Sequence, residues 1–129
     1  MLSNLEIQSN LLRLYQIANA NLEFHANELT FLYNYSVERG VNEEELKRIL
    51  HAPPSTLIIP EKVETKVECL YDLTKMALAD GNIDEDEKTL LRKFAVSFGF
   101  ELSDIDELLV ELESSAKQNK TLSEILNQN

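Results

Sequence analysis

The carboxylates of Asp80, Asp84 and Glu87 are the densest group of chemistry-bearing side chains in the chain. They fall in Asp80-Gly81-Asn82-Ile83-Asp84-Glu85-Asp86-Glu87, around a single glycine. Hard divalent cations take several carboxylate oxygens, so these three residues are candidate ligands for weakly bound Ca²⁺ or Mg²⁺. The stretch also fits the last eight positions of an EF-hand loop. The first and third ligand positions would then be Met76 and Leu78, whose side chains carry no oxygen, so an EF-hand fails at its first two ligands. The same acids have a structural use. Gly81 can take positive φ and end one helix. Asp84 can accept from the N–H of Glu87, while Glu87 reaches back to the N–H of Asp84, which is a capping box. Glu85 and Asp86 would sit in the first helical turn, where the helix dipole favours negative charge. Both roles are open to these residues.

Other chemistry is thin. His25 and His51 are the only histidines. His51 has no acid at useful spacing and reads as a solvated loop residue. His25 could join a site with Glu28, but reads first as a surface residue at a helix start. Cys69 is the sole cysteine, so no intrachain disulfide or cysteine-based metal site can form. Its place on an apolar stripe with Leu70 and Leu73 predicts a buried thiol. No phosphate-binding glycine loop, Gly-x-Ser-x-Gly turn or His-Glu-x-x-His pair is present. No nucleophile–base pair stands out, so the chain reads as non-enzymatic.

The elements that position the acidic turn are helices. Apolar residues at helical spacing predict a first helix from Leu5 to about Ala20 and a second from about Ala26 to Arg39. In the second helix Leu29, Leu32, Tyr33 and Ser36 fall near one face, and Phe31, Tyr33 and Tyr35, with Phe24 just before the helix, read as core first and as a stacking set second. Gly40 closes it. Asn42 and Glu45 open a short third helix, and Pro53-Pro54 stops it. A fourth runs from about Glu61 to Ala79 and a fifth from about Glu85 to Phe98, closed by Gly99. Ser103 reads as the cap of a sixth, whose Ile105, Leu108, Leu109 and Leu112 repeat at amphipathic spacing. Thr121 and Glu124 start a last short helix. The fold class is therefore all-α, with six or seven helices in one domain.

The chain also resembles itself. At a constant offset, 87 − 28 = 59, Leu11 meets Leu70, Leu14 meets Leu73, Ala18 and Ala20 meet Ala77 and Ala79, Glu28 meets Glu87, and Gly40 meets Gly99. This predicts two pseudo-symmetric three-helix repeats, at about 11–50 and about 61–118, joined by a linker at about 51–60. Each repeat alone would leave its apolar stripe wet, so the shared interface should form the core.

The helix ending in Ala77-x-Ala79-Asp80-Gly81-x-Ile83, the Asp84-x-x-Glu87 that opens the next helix, and Gly99 beyond it resemble the TerB-like family, named for a tellurite-resistance protein. The resemblance is good over about Lys66 to Leu112 and weak over Leu11 to Leu50. It implies an all-α fold, a bacterial origin, a stress-associated setting and acidic clusters that bind metal. Asn21, Leu22 and His25 depart from the pattern in the first copy, so it does not imply a second, symmetric metal site. No settled chemistry comes with the family.

Composition agrees with this class. The chain has 129 residues, is 43% hydrophobic and 27% charged, and carries a net charge of −11. Such a field repels nucleic acid and anionic lipid, and no basic strip accompanies the aromatic residues. There is no run of about 18 apolar residues to span a membrane and no leader-like start, so a cytoplasmic location is expected. The reading is a protein-interaction or stress-associated module without a cofactor, the alternative being a divalent-cation-binding protein using the turn Asp80–Glu87.

One segment breaks the rule that loops are polar. Leu57, Ile58 and Ile59 lie in the linker between Pro54 and Pro60. They either tuck into the repeat interface or stay exposed beside the acidic second half. If exposed, they would form a dock for a basic amphipathic helix or for a second copy of the chain.

The cap gives a direct test. Replacing Asp84 by Ala leaves an N–H group at the helix start unpartnered, at a cost of about 0.5–2 kcal/mol. Chemical denaturation of Asp84→Ala should show that loss, and an unchanged midpoint would contradict the capping role.

Overall fold

A computed structural model describes residues 3–19, 26–52, 57–79 and 81–127. Over these residues the protein is all-α, with no strand. The helices are α1 (Asn4–Ala18), α2 (Ala26–Glu38), α3 (Glu43–His51), α4 (Val63–Ala77), α5 (Glu85–Ser97), α6 (Leu102–Lys117) and α7 (Leu122–Leu126). Asp80, His25, Phe24 and the Pro53-Pro54 stop lie outside the described residues.

Local signals set most of these bounds. The side chain of Ser3 accepts from Glu6 and Glu6 reaches back, so α1 opens on a capping box that is plain in the sequence as Ser-x-x-Glu. Asn42 caps α3 by accepting from the N–H of Glu45 at 2.8 Å. Thr121 and Glu124 form the box that starts α7. Gly40 and Gly99 end α2 and α5 with φ of +79° and +93°. Ser103 does not cap α6: the helix already begins at Leu102, with Glu101 at the cap position and no side chain bonded there. His51 is the last residue of α3 rather than a loop residue, and it is exposed.

The bounds recur along the chain. α1 and α4 start 59 residues apart (63 − 4), and the same spacing separates their ends, both ends of α2 and α5, and the starts of α3 and α6. Only the ends of α3 and α6 differ. α6 runs on to Lys117, and its added turns carry Leu112 and Ser115 into the interior.

The core forms where α1 and α4 pack together. Leu11, Leu14, Ile17 and Ala18 from one helix and Leu70, Leu73, Met76 and Ala77 from the other are wholly buried. Cys69 is buried with them, as its stripe predicted, and desolvation pushes its thiol up to about 12, an inert state. Helices α2, α5 and α6 close around this pair with Leu32, Tyr35, Leu91, Phe94, Phe98, Ile105 and Leu112.

The second helix is rotated from the face that its pattern predicted. Leu32, Tyr35 and Ser36 face inward, whereas Leu29 and Tyr33 are exposed. Glu28 takes an inner position in their stead and is 1% exposed. Apolar residues surround α2 in the sequence, and composition alone does not say which of them the neighbouring helices cover.

Several other polar side chains are interior. Arg13, 2% exposed, donates from Nη2 to the carbonyl of Ile58 at 2.9 Å and lies over the Phe98 ring. Asp72 holds Arg39 at 3.2 Å and Lys75 at 3.5 Å. Asn10 donates to the Tyr35 hydroxyl at 3.0 Å.

Truncation should separate core from surface within one domain. Leu70→Ala opens a cavity in the α1–α4 seam and should cost about 2–5 kcal/mol. Val37→Ala, on the exposed side of α2, should stay within about 0.5 kcal/mol. Equal losses in denaturant titrations would contradict the packing described.

Candidate functional site

The acidic turn is built as a helix start. Asp84 Oδ1 accepts from the N–H of Glu87 at 2.8 Å, and Glu87 Oε1 accepts from the N–H of Asp84 at 3.1 Å. Gly81 stands before it with φ +105°, the left-handed conformation that its lack of a Cβ permits. Asp84 and Glu87 are thus brought together by the backbone of α5, with Glu85 and Asp86 pointing outward. Asp80, the third candidate ligand, lies outside the described residues. Among the described residues, no group of three His, Cys, Asp or Glu side chains is arranged to hold a metal ion.

Glu87 also faces inward. It is 3% exposed and meets Glu28, the residue 59 positions earlier, in a side-chain hydrogen bond. Two carboxyl groups share such a bond only when one keeps its proton. Burial pushes Glu87 up to about 8, and the nearby carboxylates of Asp84 and Glu28 push in the same direction against the capping N–H. The pair therefore holds a proton to a pH well above the ordinary carboxylate range. A spacing of 59 residues pairs these two positions in the sequence, but only the folded chain places their side chains in contact.

The linker run divides. Leu57 and Ile58 are half-buried, and Leu57 packs against the core. The N–H of Ile58 donates to Ser9 Oγ at 2.8 Å, and its carbonyl accepts from Arg13. This strap over α1 leaves Ile59, at 43% exposure, as the one side chain of the three that is exposed.

An apolar concavity lies elsewhere, between α2 and α3. It encloses about 430 Å³ and is lined by Tyr15, Leu29, Thr30, Leu32, Tyr33, Leu46 and Leu50, with Glu43 and Lys47 on its rim. Leu29 is 56% exposed and Tyr33 44%. Glu43 and Lys47 pair with each other at 3.3 Å across one helical turn. The positions 59 residues on form a second, smaller concavity of about 130 Å³, lined by Thr74, Lys88, Leu91, Arg92, Asp106 and Leu109 among others. There Lys88 stands for Leu29, Arg92 for Tyr33 and Asp106 for Lys47. Arg92 donates to Asp106 at 2.8 Å, an ion pair that ties α5 to α6. One spacing thus yields an open apolar groove in the first half and a charged, bridged one in the second. Aligning the two halves would have revealed the groove, as the places where one copy has leucine or tyrosine and the other a cation.

The family model described as Tellurite resistance protein TerB matches residues 56–109, which run from the linker through α4 and α5 into α6. Over those residues the chain is similar to that family. No curated protein and no solved structure matches it.

The buried carboxyl pair makes stability depend on pH. In the unfolded chain Glu87 titrates near its ordinary 4.5, so between there and about 8 the folded protein holds a proton that the unfolded chain has released. That stabilisation is complete below about 4.5 and is lost as pH rises through about 8. Asp72, raised to about 6 by burial against the pull of Arg39 and Lys75, acts in the same sense. The melting temperature should fall from pH 5 towards pH 8, and Glu87→Gln, which keeps a hydrogen-bonding side chain but cannot ionise, should flatten the upper part of the profile. A wild-type melting temperature that rises over this range would refute the shared proton.

Proposed function

We propose that this TerB-like chain is a non-enzymatic helical module that works by binding another protein. Two copies of a three-helix unit, at about 11–50 and about 61–118 with a linker at about 51–60, give it two unlike versions of one surface. The recurrence of helix bounds at 59 residues supports that duplication. The observation that carries the functional reading is the groove between α2 and α3. Exposed Leu29, Tyr33 and Tyr15 gather around a concavity, and apolar surface collected in this way gains most from being covered. Its counterpart carries the Arg92–Asp106 ion pair at the same positions, so an apolar wall is not something the fold requires there.

The polar residues support a non-enzymatic role. Asp84 and Glu87 are engaged in capping α5, Asp72 in pairing Arg39 and Lys75, and Cys69 is buried with its thiol protonated. The family's description names tellurite resistance, and a stress-associated setting is the cellular context that goes with it.

A photoreactive amino acid placed at position 33 tests the reading in living cells. Illumination should give a covalent protein adduct, and Leu29→Lys in the same chain should remove it while leaving the melting temperature unchanged. No adduct, or one indifferent to Leu29→Lys, would overturn the assignment of this groove as a binding surface.

A further inference from the structure

We infer that the partner seated in the α2–α3 groove is a second copy of this chain, docked about a two-fold axis with the two α2 helices antiparallel. The inference rests on the interaction-module reading and names its partner.

Charge selects the occupant. The chain carries −11, yet α2 contains only two charged residues, the buried Glu28 and Glu38 at its end. Its counterpart α5 contains six: Glu85, Asp86, Glu87, Lys88, Arg92 and Lys93. A basic partner helix would be matched by carboxylates in the groove wall. Among the described lining residues the only one is Glu43, which already faces Lys47 at 3.3 Å. The groove therefore suits a neutral, apolar occupant. Two copies of a strongly acidic protein repel each other everywhere except through a face without charge, and α2 presents such a face.

Shape selects it too. Leu29, Tyr33 and Val37 stand at i, i+4 and i+8 and form one exposed ridge along α2. The same helix forms one wall of the groove, whose other wall carries Leu46 and Leu50 from α3. A patch that holds both ridge and groove is self-complementary, which is what an isologous two-fold interface needs. Rows of residues four apart are also the ridges that pack between helices. Each copy then places Leu29 and Tyr33 in the groove of the other.

Sedimentation velocity of the full chain tests this. The sedimentation coefficient should rise reversibly with protein concentration, and the association should tighten as salt rises from about 0.1 to about 1 M, which shortens the screening length from about 10 to 3 Å and weakens the repulsion between copies. The double variant Leu29→Lys/Tyr33→Arg installs the residue types found at 88 and 92 and lowers the net charge from −11 to −9 (two cations gained). By charge alone it should associate more readily. Through this interface it should associate about tenfold more weakly or worse, with its melting temperature unchanged. Val96→Lys, on the α5 counterpart of Val37, should leave association as in the wild type. A chain that stays monomeric at every concentration and salt, a dimer indifferent to the double variant, or association that weakens with salt would each overturn the proposal. A monomeric chain whose position 33 crosslinks to a different protein in cells would overturn the second copy and leave the module reading intact. A monomeric chain with no adduct would end both.

Discussion

The packing of α1 against α4 is the constraint from which the rest of the structure follows. Both helices are fifteen residues long, and each turns an unbroken apolar stripe towards the other. Leu11, Leu14 and Ile17 pack with Leu70, Leu73 and Met76 in a seam closed to solvent. Neither helix would be stable alone at this length, because nucleating a short helix costs more than its hydrogen bonds return. Their shared burial supplies the difference, and the remaining helices pack around that seam. The small residues Ala18 and Ala77 end each stripe, and each chain then turns away to start α2 or α5.

That central seam is not purely hydrophobic. Arg13 on α1 and Asp72 on α4 occupy matching positions 59 residues apart, and each reaches the end of a surrounding helix: Arg13 the ring of Phe98, Asp72 the guanidinium of Arg39. Arg39 also stacks over Tyr35 at 3.6 Å from the ring centroid. A buried charge is expensive unless it is paired or hydrogen-bonded, and its partners must then be held in place. Arg13 fixes the linker through the carbonyl of Ile58, and Ser9 fixes the same residue through its N–H. The connection between the halves is thereby strapped to α1 by hydrogen bonds, with Leu57 adding apolar contact. At the starts of α2 and α5 the buried carboxyl groups of Glu28 and Glu87 meet. These contacts specify how the surrounding helices sit on the seam more than they strengthen it.

The two halves of the chain differ at their surfaces. The second half keeps its charge on the outside, with α5 tied to α6 by Arg92 and Asp106, and α6 long enough to bury Leu112 and Ser115 against the core. The first half has a shorter α3 and an α2 whose outer face is almost without charge. In a protein of net charge −11, a neutral apolar face is conspicuous, since an exposed helix gains solubility from charge and loses nothing structural by it. The first half departs from its partner in the residues that meet solvent, not in those that meet the core.

The sequence by itself determined the class of fold and most of its punctuation. Periodic apolar residues, the boxes at Asp84–Glu87 and Thr121–Glu124, the cap at Asn42 and the glycines at 40 and 99 are local signals, because each depends on backbone groups within a few residues. The acidic turn was legible for the same reason. Where local chemistry is silent, the reading went astray. Ser103 has a capping side chain, yet α6 starts before it. Leu29 and Tyr33 are as apolar as Leu32 and Tyr35, but whether an apolar side chain is covered depends on which helix lies over it, and that is a property of the assembled seam. The tertiary structure alone decided that Glu28 lies inside against Glu87, that Arg13 reaches the linker carbonyl, and that a groove stays open beside α2. Each of these depends on how separate helices sit against one another around α1 and α4, which no local pattern in the sequence specifies.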